Sequence, residues 1–216
     1  DYQESYDLGK NGDIPIEFTL QIISDDLEEI LNNPKHDADI SGTVEIPQLS
    51  PDPMTVTDGT FNLFIKVPGE VETKHMTYRM KLTSEEGKTY FFHGFKEIKD
   101  DGLIHVWRDT STLYTTIYEG DSADGKELGK GILHIKPKDF MTQMTTMKVY
   151  NSSGPKETVS ALARFGKYFA GTLWDIYGGI AAPLDYFDPE APPRKKRPLR
   201  APAPEVHHFQ TEDGKT

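Results

Sequence analysis

Hydrophobic and polar residues alternate along the first two thirds of the chain, which is the pattern of half-buried β-strands. In the clearest stretch, Met76, Tyr78, Met80 and Leu82 alternate with polar neighbours. The same period predicts further strands at 14–23, 40–46, 60–67, 90–98, 103–107, 112–118, 128–136 and 145–150. The apolar face of these strands is the predicted core.

Short polar segments separate these strands and predict tight connections between them. Asp58-Gly59 is a turn dipeptide, Glu85–Lys88 and Asp100–Gly102 are short turns, and Gly94 marks a possible bulge. Strands joined by short turns pair with their sequence neighbours as antiparallel hairpins, and a long meander must hide its edges. We therefore predict a mainly β fold, an antiparallel β-meander closed as a barrel or as a two-sheet sandwich.

One long C-terminal helix completes the predicted domain. Apolar residues at helical spacing follow Pro155, and Gly178-Gly179 ends the pattern. The apolar side consists of Val159, Leu162, Phe165, Phe169, Leu173 and Ile176. We expect this side to pack on the domain itself. A membrane-surface role is the weaker interpretation, because Lys156, Arg164 and Lys167 are too few for a basic polar face.

Composition changes divide the chain into four parts. Residues 1–13 are predicted as an N-terminal tail and 14–182 as the antiparallel β domain with its C-terminal helix. Residues 183–204 contain seven prolines and the basic run Arg194–Arg197, which predicts an extended basic linker. That basic run is typical of a solvated segment, although it also suits a nuclear or anionic-lipid address. Residues 205–216 are predicted as the start of a following domain.

Length and charge narrow the class of protein. The 216 residues suit one domain with tails, and 11% of them are aromatic, which fits a β core of large flat side chains. The formal net charge of −11 argues against a nucleic-acid partner, since an acidic body repels phosphate backbones. The chain has no cysteine, no signal-peptide pattern in Asp1–Gly12, and no apolar run near the ~20 residues of a membrane span.

Compact catalytic motifs are missing from the sequence. There is no G-x-S-x-G elbow, no P-loop and no H-E-x-x-H, and Gly129-Lys130-Gly131 lacks the third glycine of a dinucleotide fingerprint. We therefore predict no catalytic, cofactor-binding or metal-ligating residues and no cofactor in this segment.

The histidines are the residues that could contradict this prediction most directly. His93 and His105 could meet on paired strands and ligate a metal, although polar positions on a half-solvated sheet are the simpler interpretation. The full set is His36, His75, His93, His105, His134, His207 and His208.

Acidic loops and aromatic side chains suggest two further kinds of site. Converging loops could bind calcium, but aspartate is also a common turn residue, and none of these loops follows an EF-hand pattern. The loop residues are Asp25, Asp26, Asp37, Asp39, Asp100, Asp101, Asp121 and Asp124. If the meander closes as a barrel, its aromatic interior could hold an apolar ligand, whereas a filled core is the more common outcome. The aromatic set is Tyr90, Phe91, Phe92, Phe95, Trp107, Tyr114 and Tyr118.

Dispersed segments between about residues 15 and 180 carry a family resemblance. They are Ser41–Pro47, Leu49–Phe64, His75–Met80, Thr89–Phe95, Thr110–Gly120, Gly131–Phe140 and Ala163–Gly171. This stretch resembles the central segment of large bacterial cholesterol-oxidase-like proteins. Those proteins join a flavin-dependent GMC (glucose–methanol–choline) oxidoreductase to an α/β-hydrolase, and Arg200–Gly214 looks like the beginning of their hydrolase portion.

The resemblance implies a function without implying a catalytic residue. It implies a non-catalytic accessory or interdomain module of a lipid- or sterol-processing enzyme, whose partners are flanking catalytic domains of the same chain and whose parent protein holds FAD. The flavin fingerprint and the hydrolase nucleophile both fall outside this sequence. Two more hypotheses stand beside it: a β module that binds an apolar ligand or a lipid surface, and a self-contained enzyme.

Overall fold

The fold is built on one β-meander, and the computed structural model describes residues 1–70, 73–99 and 106–176. Its strands are β1 (Glu17–Ile23), β2 (Asp37–Glu45), β3 (Met54–Lys66), β4 (Thr73–Thr83), β5 (Thr89–Lys99), β6 (Thr112–Glu119) and β7 (Glu127–His134). Its helices are α1 (Tyr2–Asn11), α2 (Leu27–Asn32), α3 (Val106–Ser111), α4 (Pro137–Thr145) and α5 (Pro155–Ile176). No helix within these ranges is long and apolar enough to cross a membrane.

All seven strands belong to one antiparallel sheet, and their spatial order is their order in sequence. Each pairs with its neighbour in the chain, as between β4 and β5, where Thr73 lies opposite Lys99 and Thr83 opposite Thr89 without interruption. The mainly β, antiparallel meander predicted from side-chain alternation is confirmed.

The predicted closure of the meander is wrong. In the described chain, β1 pairs only with β2 and β7 only with β6, so the sheet is neither a closed barrel nor a two-sheet sandwich. The sheet curls instead, which brings the ring centroid of Phe18 on β1 within 6.4 Å of that of Phe92 on β5. Helix α1 packs along β7. Curling lets a single sheet bury one face, and α1 covers part of the opposite, outer face beside the edge strand β7.

Side chains from the inner face of the sheet fill the core. Met80, Leu82, Phe92 and Ile98 are wholly buried on β4 and β5. Gly94, predicted as a possible bulge, instead pairs regularly with Tyr78 and Thr115. The ring of Phe92 lies over it, so a Cβ there would come within 2.9 Å of the ring. The glycine therefore makes room for an aromatic ring inside the curled sheet.

Strand β3 runs through the segment where a turn was predicted. Asp58-Gly59 is an irregularity inside a 13-residue strand, because the register shifts between Val56 and Asp58. A Cβ on Gly59 would lie 2.5 Å from the Ile40 carbonyl oxygen, so the glycine allows β2 and β3 to approach closely at this shift.

A second irregularity in β3 connects the sheet to α5. It lies between Asn62 and Ile65 and holds Phe64 at φ 53°, a left-handed conformation that is uncommon for a bulky residue. The ring of Phe64 packs on Phe169 of α5, with centroids 5.2 Å apart.

Helix α5 packs on the domain, as predicted. Phe165, Tyr168 and Phe169 contact the core cluster. Val159, which the spacing places on the same side, is 66% exposed, so the packed face is narrower than predicted. The side chains of Leu173 and Ile176 lie outside the description, as do the predicted linker at 183–204 and the following segment at 205–216.

Three short segments differ from the sequence pattern. Residues 2–11, predicted as part of a polar tail, form α1, whose N-cap Asp1 accepts a hydrogen bond from the Glu4 backbone N–H. Residues 106–107, at the end of a predicted strand, begin α3, while 103–105 lie outside the described residues. Residues 146–150 form no strand. At 106–107 and 146–150 the pattern is too short for hydrophobic period alone to determine the secondary structure.

Candidate functional site

The outer face of the central strands carries a set of aromatic rings. In the register of β5 and β6, Phe91 lies opposite Tyr118 and Phe95 opposite Tyr114, with His93 between them on β5. All five side chains are half-buried and point away from the core. We call Phe91, His93, Phe95, Tyr114 and Tyr118 the ring face.

Ring stacking orders the middle of this surface. The Phe95 ring stacks on Tyr114 with centroids 5.3 Å apart, and on His75 of β4 with centroids 5.2 Å apart. Three planar groups therefore align across three adjacent strands, at a spacing close to the ~4.8 Å between strands. Each of these rings packs against a ring on the next strand, which stabilises this face of the sheet.

Helix α1 covers one end of the ring face. Tyr2 packs edge-on against Phe95 and Tyr114, and its hydroxyl forms a 2.9 Å hydrogen bond with the Thr116 hydroxyl. The Lys130 ammonium lies 5.7 Å from the centre of the Tyr2 ring. The pair formed by Phe91 and Tyr118 lies further along the strands, away from these contacts.

Among the described histidines, His75 and His93 lie near each other beside Phe95, whereas His36 and His134 form separate contacts. Burial lowers the pKa of His93, and the nearby Arg79 and His75 lower it further, so its imidazole tends to be neutral. His75 Nε2 lies 3.5 Å from a Glu97 carboxylate oxygen. His105 lies outside the described residues, so its meeting with His93 stays the alternative that the sequence leaves open.

The acidic side chains were the candidates for calcium. In the described part of the chain, no three histidine, aspartate or glutamate side chains converge closely enough to hold a metal ion. Asp26, one of the calcium candidates, caps α2 by accepting a hydrogen bond from the Glu28 backbone N–H. Its role there is that of a helix cap.

Two hydroxyl–imidazole contacts resemble parts of a catalytic pair. Thr112 Oγ1 lies 3.4 Å from His134 Nδ1, and the Tyr168 hydroxyl lies 3.2 Å from His36 Nε2. The other nitrogen of His36 donates to the Ile30 carbonyl at 2.8 Å, so a backbone carbonyl rather than a carboxylate orients that ring. The His36 ring therefore links α2 to Tyr168 of α5, which favours a structural role for this contact.

A second surface is a groove of about 760 Å³ beside the second irregularity of β3. It lies between the turn that follows α2 and strands β3 and β4. Four cationic side chains line it: Lys35, Lys66, Lys74 and Arg79. We call this surface the basic groove. Lys66 and Lys74 lie directly opposite each other in the strand pairing. Asp37 is the only carboxylate residue in this lining.

A buried amide organises the floor of this groove. The Asn62 side chain is buried and donates to the Lys35 carbonyl at 3.0 Å. Its oxygen accepts hydrogen bonds from the Thr77 hydroxyl at 2.9 Å and from the Arg79 guanidinium at 2.7 Å. One neutral side chain thus fixes the turn after α2 and the guanidinium on β4 relative to each other.

One lysine lies inside the core. Lys96 is 5% exposed, its ammonium donates to the Thr110 carbonyl at 2.9 Å, and it lies 6.0 Å from the centre of the Tyr78 ring. Burial lowers the pKa of Lys96 to about 8. Its position attaches the end of α3 to the sheet and gives a ligand no access to the amine.

Sequence reasoning anticipated the ring face only as a possible barrel lining, and it missed the basic groove. The lysines and Arg79 are separated by up to 44 positions in the chain, and nothing in their local pattern marks them. A partial signal was present in the hairpin between β3 and β4, because Lys66 and Lys74 flank its loop.

Neither protein-family models, curated proteins nor solved structures give a match to this chain.

Proposed function

We propose that this chain is a non-catalytic accessory module of a larger lipid- or sterol-processing enzyme, and that the ring face is where a flanking catalytic domain of the same protein docks. The observation that carries the proposal is the half-buried aromatic surface on the outer side of β5 and β6. Aromatic side chains are enriched at protein–protein interfaces, because they bury a large area at a small cost in conformational entropy.

The packing of the interior supports a module of this kind over a ligand-binding chamber. Val44, Met54, Met80, Leu82 and Phe92 are fully buried, with relative exposures of 0%. Side chains from opposite parts of the curled sheet meet there, as Phe18 and Phe92 do. The inner face therefore stabilises the fold, and the part of the outer face that α1 leaves uncovered remains for a partner.

The family resemblance supplies the identity of the partner in this proposal. Cholesterol-oxidase-like proteins have an oxidoreductase and a hydrolase on either side of the similar segment, so the ring face would contact one of them. In this arrangement FAD is bound by the oxidoreductase domain and the nucleophile belongs to the hydrolase domain. The role of this chain is to position these two domains relative to each other.

Removing two rings should weaken docking without unfolding the module. We expect the double variant Phe91→Ser/Tyr118→Ser to bind a separately produced flanking domain at least tenfold more weakly, since buried aromatic anchors contribute about 2 kcal/mol or more each. Isothermal titration calorimetry measures the affinity. The matched control is Tyr150→Ser/Val159→Ser, which removes two apolar groups that are 63% and 66% exposed elsewhere.

The control should bind like the unsubstituted chain. Equal losses in both double variants, or no binding of either flanking domain, would count against the proposed docking face.

The catalytic part of the proposal is checked separately, by incubating the chain with cholesterol, FAD and oxygen and by supplying ester substrates. Reproducible hydrogen peroxide formation or ester hydrolysis would show that the module is itself an enzyme.

A further inference from the structure

We propose that the basic groove binds a ligand through a phosphate group. The groove concentrates Lys35, Lys66, Lys74 and Arg79 at a concave surface of a chain whose net charge is −11. Clefts lined by one sign of charge focus the electrostatic field and raise the local concentration of the opposite ion.

Part of the positive charge of the groove has no anionic partner among the described residues. Within the described ranges, Lys35 and Lys66 form no ion pair, and the side-chain partner of Arg79 is the neutral amide of Asn62. Lys66 also faces Lys74 across the β3–β4 pairing, where like charges destabilise a sheet.

The arginine is held ready for an anion. The Asn62 oxygen binds one guanidinium nitrogen of Arg79 and the Thr77 hydroxyl, while the amide nitrogen of Asn62 binds the Lys35 carbonyl. Because Asn62 is buried, this network fixes the guanidinium before any ligand arrives. A guanidinium has five N–H donors, so those not bound to Asn62 remain to bind phosphate oxygens in a bidentate manner.

The number of cations and the size of the groove indicate the ligand class. Several lysines around one arginine favour a multiply charged phosphate over a single carboxylate. A volume of about 760 Å³ lies within the range of small-molecule sites and leaves room for a body attached to the phosphate. Pro34, Phe64 and Ile65 also line the groove and provide an apolar wall for that body.

This inference does not depend on the proposed docking function, because it concerns a different surface and a different partner. Arg79 lies opposite His93 in the strand pairing and marks the border between the two surfaces. The substitutions Phe91→Ser/Tyr118→Ser should therefore leave phosphate binding unchanged, and Lys35→Gln/Lys66→Gln, which spares Arg79 at the border, should leave domain docking unchanged.

Two probes distinguish a soluble phosphate compound from a lipid headgroup. Glycerol 3-phosphate is titrated by calorimetry, and phosphatidylcholine vesicles with and without phosphatidic acid are tested by co-sedimentation. We expect Lys66→Gln/Arg79→Gln to weaken binding to the preferred probe by about tenfold or more, since a charge-assisted hydrogen bond contributes that much to affinity. The control Lys148→Gln/Lys156→Gln removes the same charge at two exposed lysines outside the groove and should bind normally.

The variant Arg79→Lys keeps the positive charge but loses the shape of the guanidinium. Its affinity for the preferred probe should lie between those of the unsubstituted chain and the double variant. Thermal unfolding followed by circular dichroism verifies that each variant is folded. Saturable binding of glycerol 3-phosphate, or binding only to vesicles that contain phosphatidic acid, supports the proposal and names the source of the phosphate. Binding of neither probe, or equal weakening by the groove and control substitutions, overturns it.

Discussion

Replacing Phe92 with alanine should lower the free energy of unfolding by about 3–5 kcal/mol, the usual cost of truncating a buried aromatic residue. The Phe92 side chain is fully buried at the point where the curled sheet meets itself, edge-on to Phe18 and over Gly94. The alanine would leave a cavity between strands that the backbone cannot close without uncurling. Because small domains are stable by only about 5–15 kcal/mol, this loss is a large part of the total.

The neighbouring residue provides a matched control. Phe91 is the same residue type one position earlier on the same strand, but it points to the outer face and is half-buried. Phe91→Ala should cost about 1 kcal/mol, in proportion to the apolar area it loses. Urea denaturation followed by circular dichroism measures both variants. Equal losses at the two positions would contradict the assignment of an inner and an outer face to β5.

Raising the pH from 7 to 10 should increase the free energy of unfolding of the unsubstituted chain by about 2–3 kcal/mol more than that of a Lys96→Met variant. The difference is the contribution of the buried Lys96 amine. Burial lowers the pKa of this amine from 10.5 in the unfolded chain to about 8 in the fold. Between these values the unfolded chain binds more protons than the folded one, so the unfolding free energy rises with pH. Well below pH 8 the amine is protonated in both states, and the contribution becomes constant.

The Lys96→Met variant isolates this contribution from other groups that titrate. At pH 7 we expect it to be more stable than the unsubstituted chain by about 1–2 kcal/mol, because losing a buried charge outweighs losing the hydrogen bond to the Thr110 carbonyl. Burial also raises the pKa of Tyr78, which would lower stability only above pH 10, so the measurement stops there. Urea midpoints at each pH provide the comparison. A parallel pH dependence in both proteins would show that Lys96 is not the titrating group.

Local pattern was sufficient for the identity and order of most strands. The alternation from Met76 to Leu82 predicts β4 because side chains in a strand point alternately to opposite faces, whatever the rest of the chain does. Short turns then determine antiparallel pairing between neighbours, as for β4 and β5 across Glu85–Lys88. The same reasoning predicted that α5 packs on the domain through Phe165 and Phe169.

The backbone conformation at the irregular positions was less predictable, because it depends on contacts with distant strands. Asp58-Gly59 has the composition of a turn, yet β3 continues through it because β2 approaches closely at Ile40. A glycine inside a strand, such as Gly94, is typical of a bulge. In the structure Gly94 pairs regularly and accommodates the ring of Phe92. In both cases the same residue suits two local conformations, and tertiary contacts select one.

The sequence by itself determined a mainly β antiparallel meander with a C-terminal helix, because these features follow from periods of two and 3.6 residues that a chain carries locally. Only the tertiary structure decided that the sheet curls without closing, and that Lys35, Lys66 and Arg79 share one groove. Curvature and the meeting of distant side chains depend on how whole strands pack against each other, and no local pattern encodes that packing.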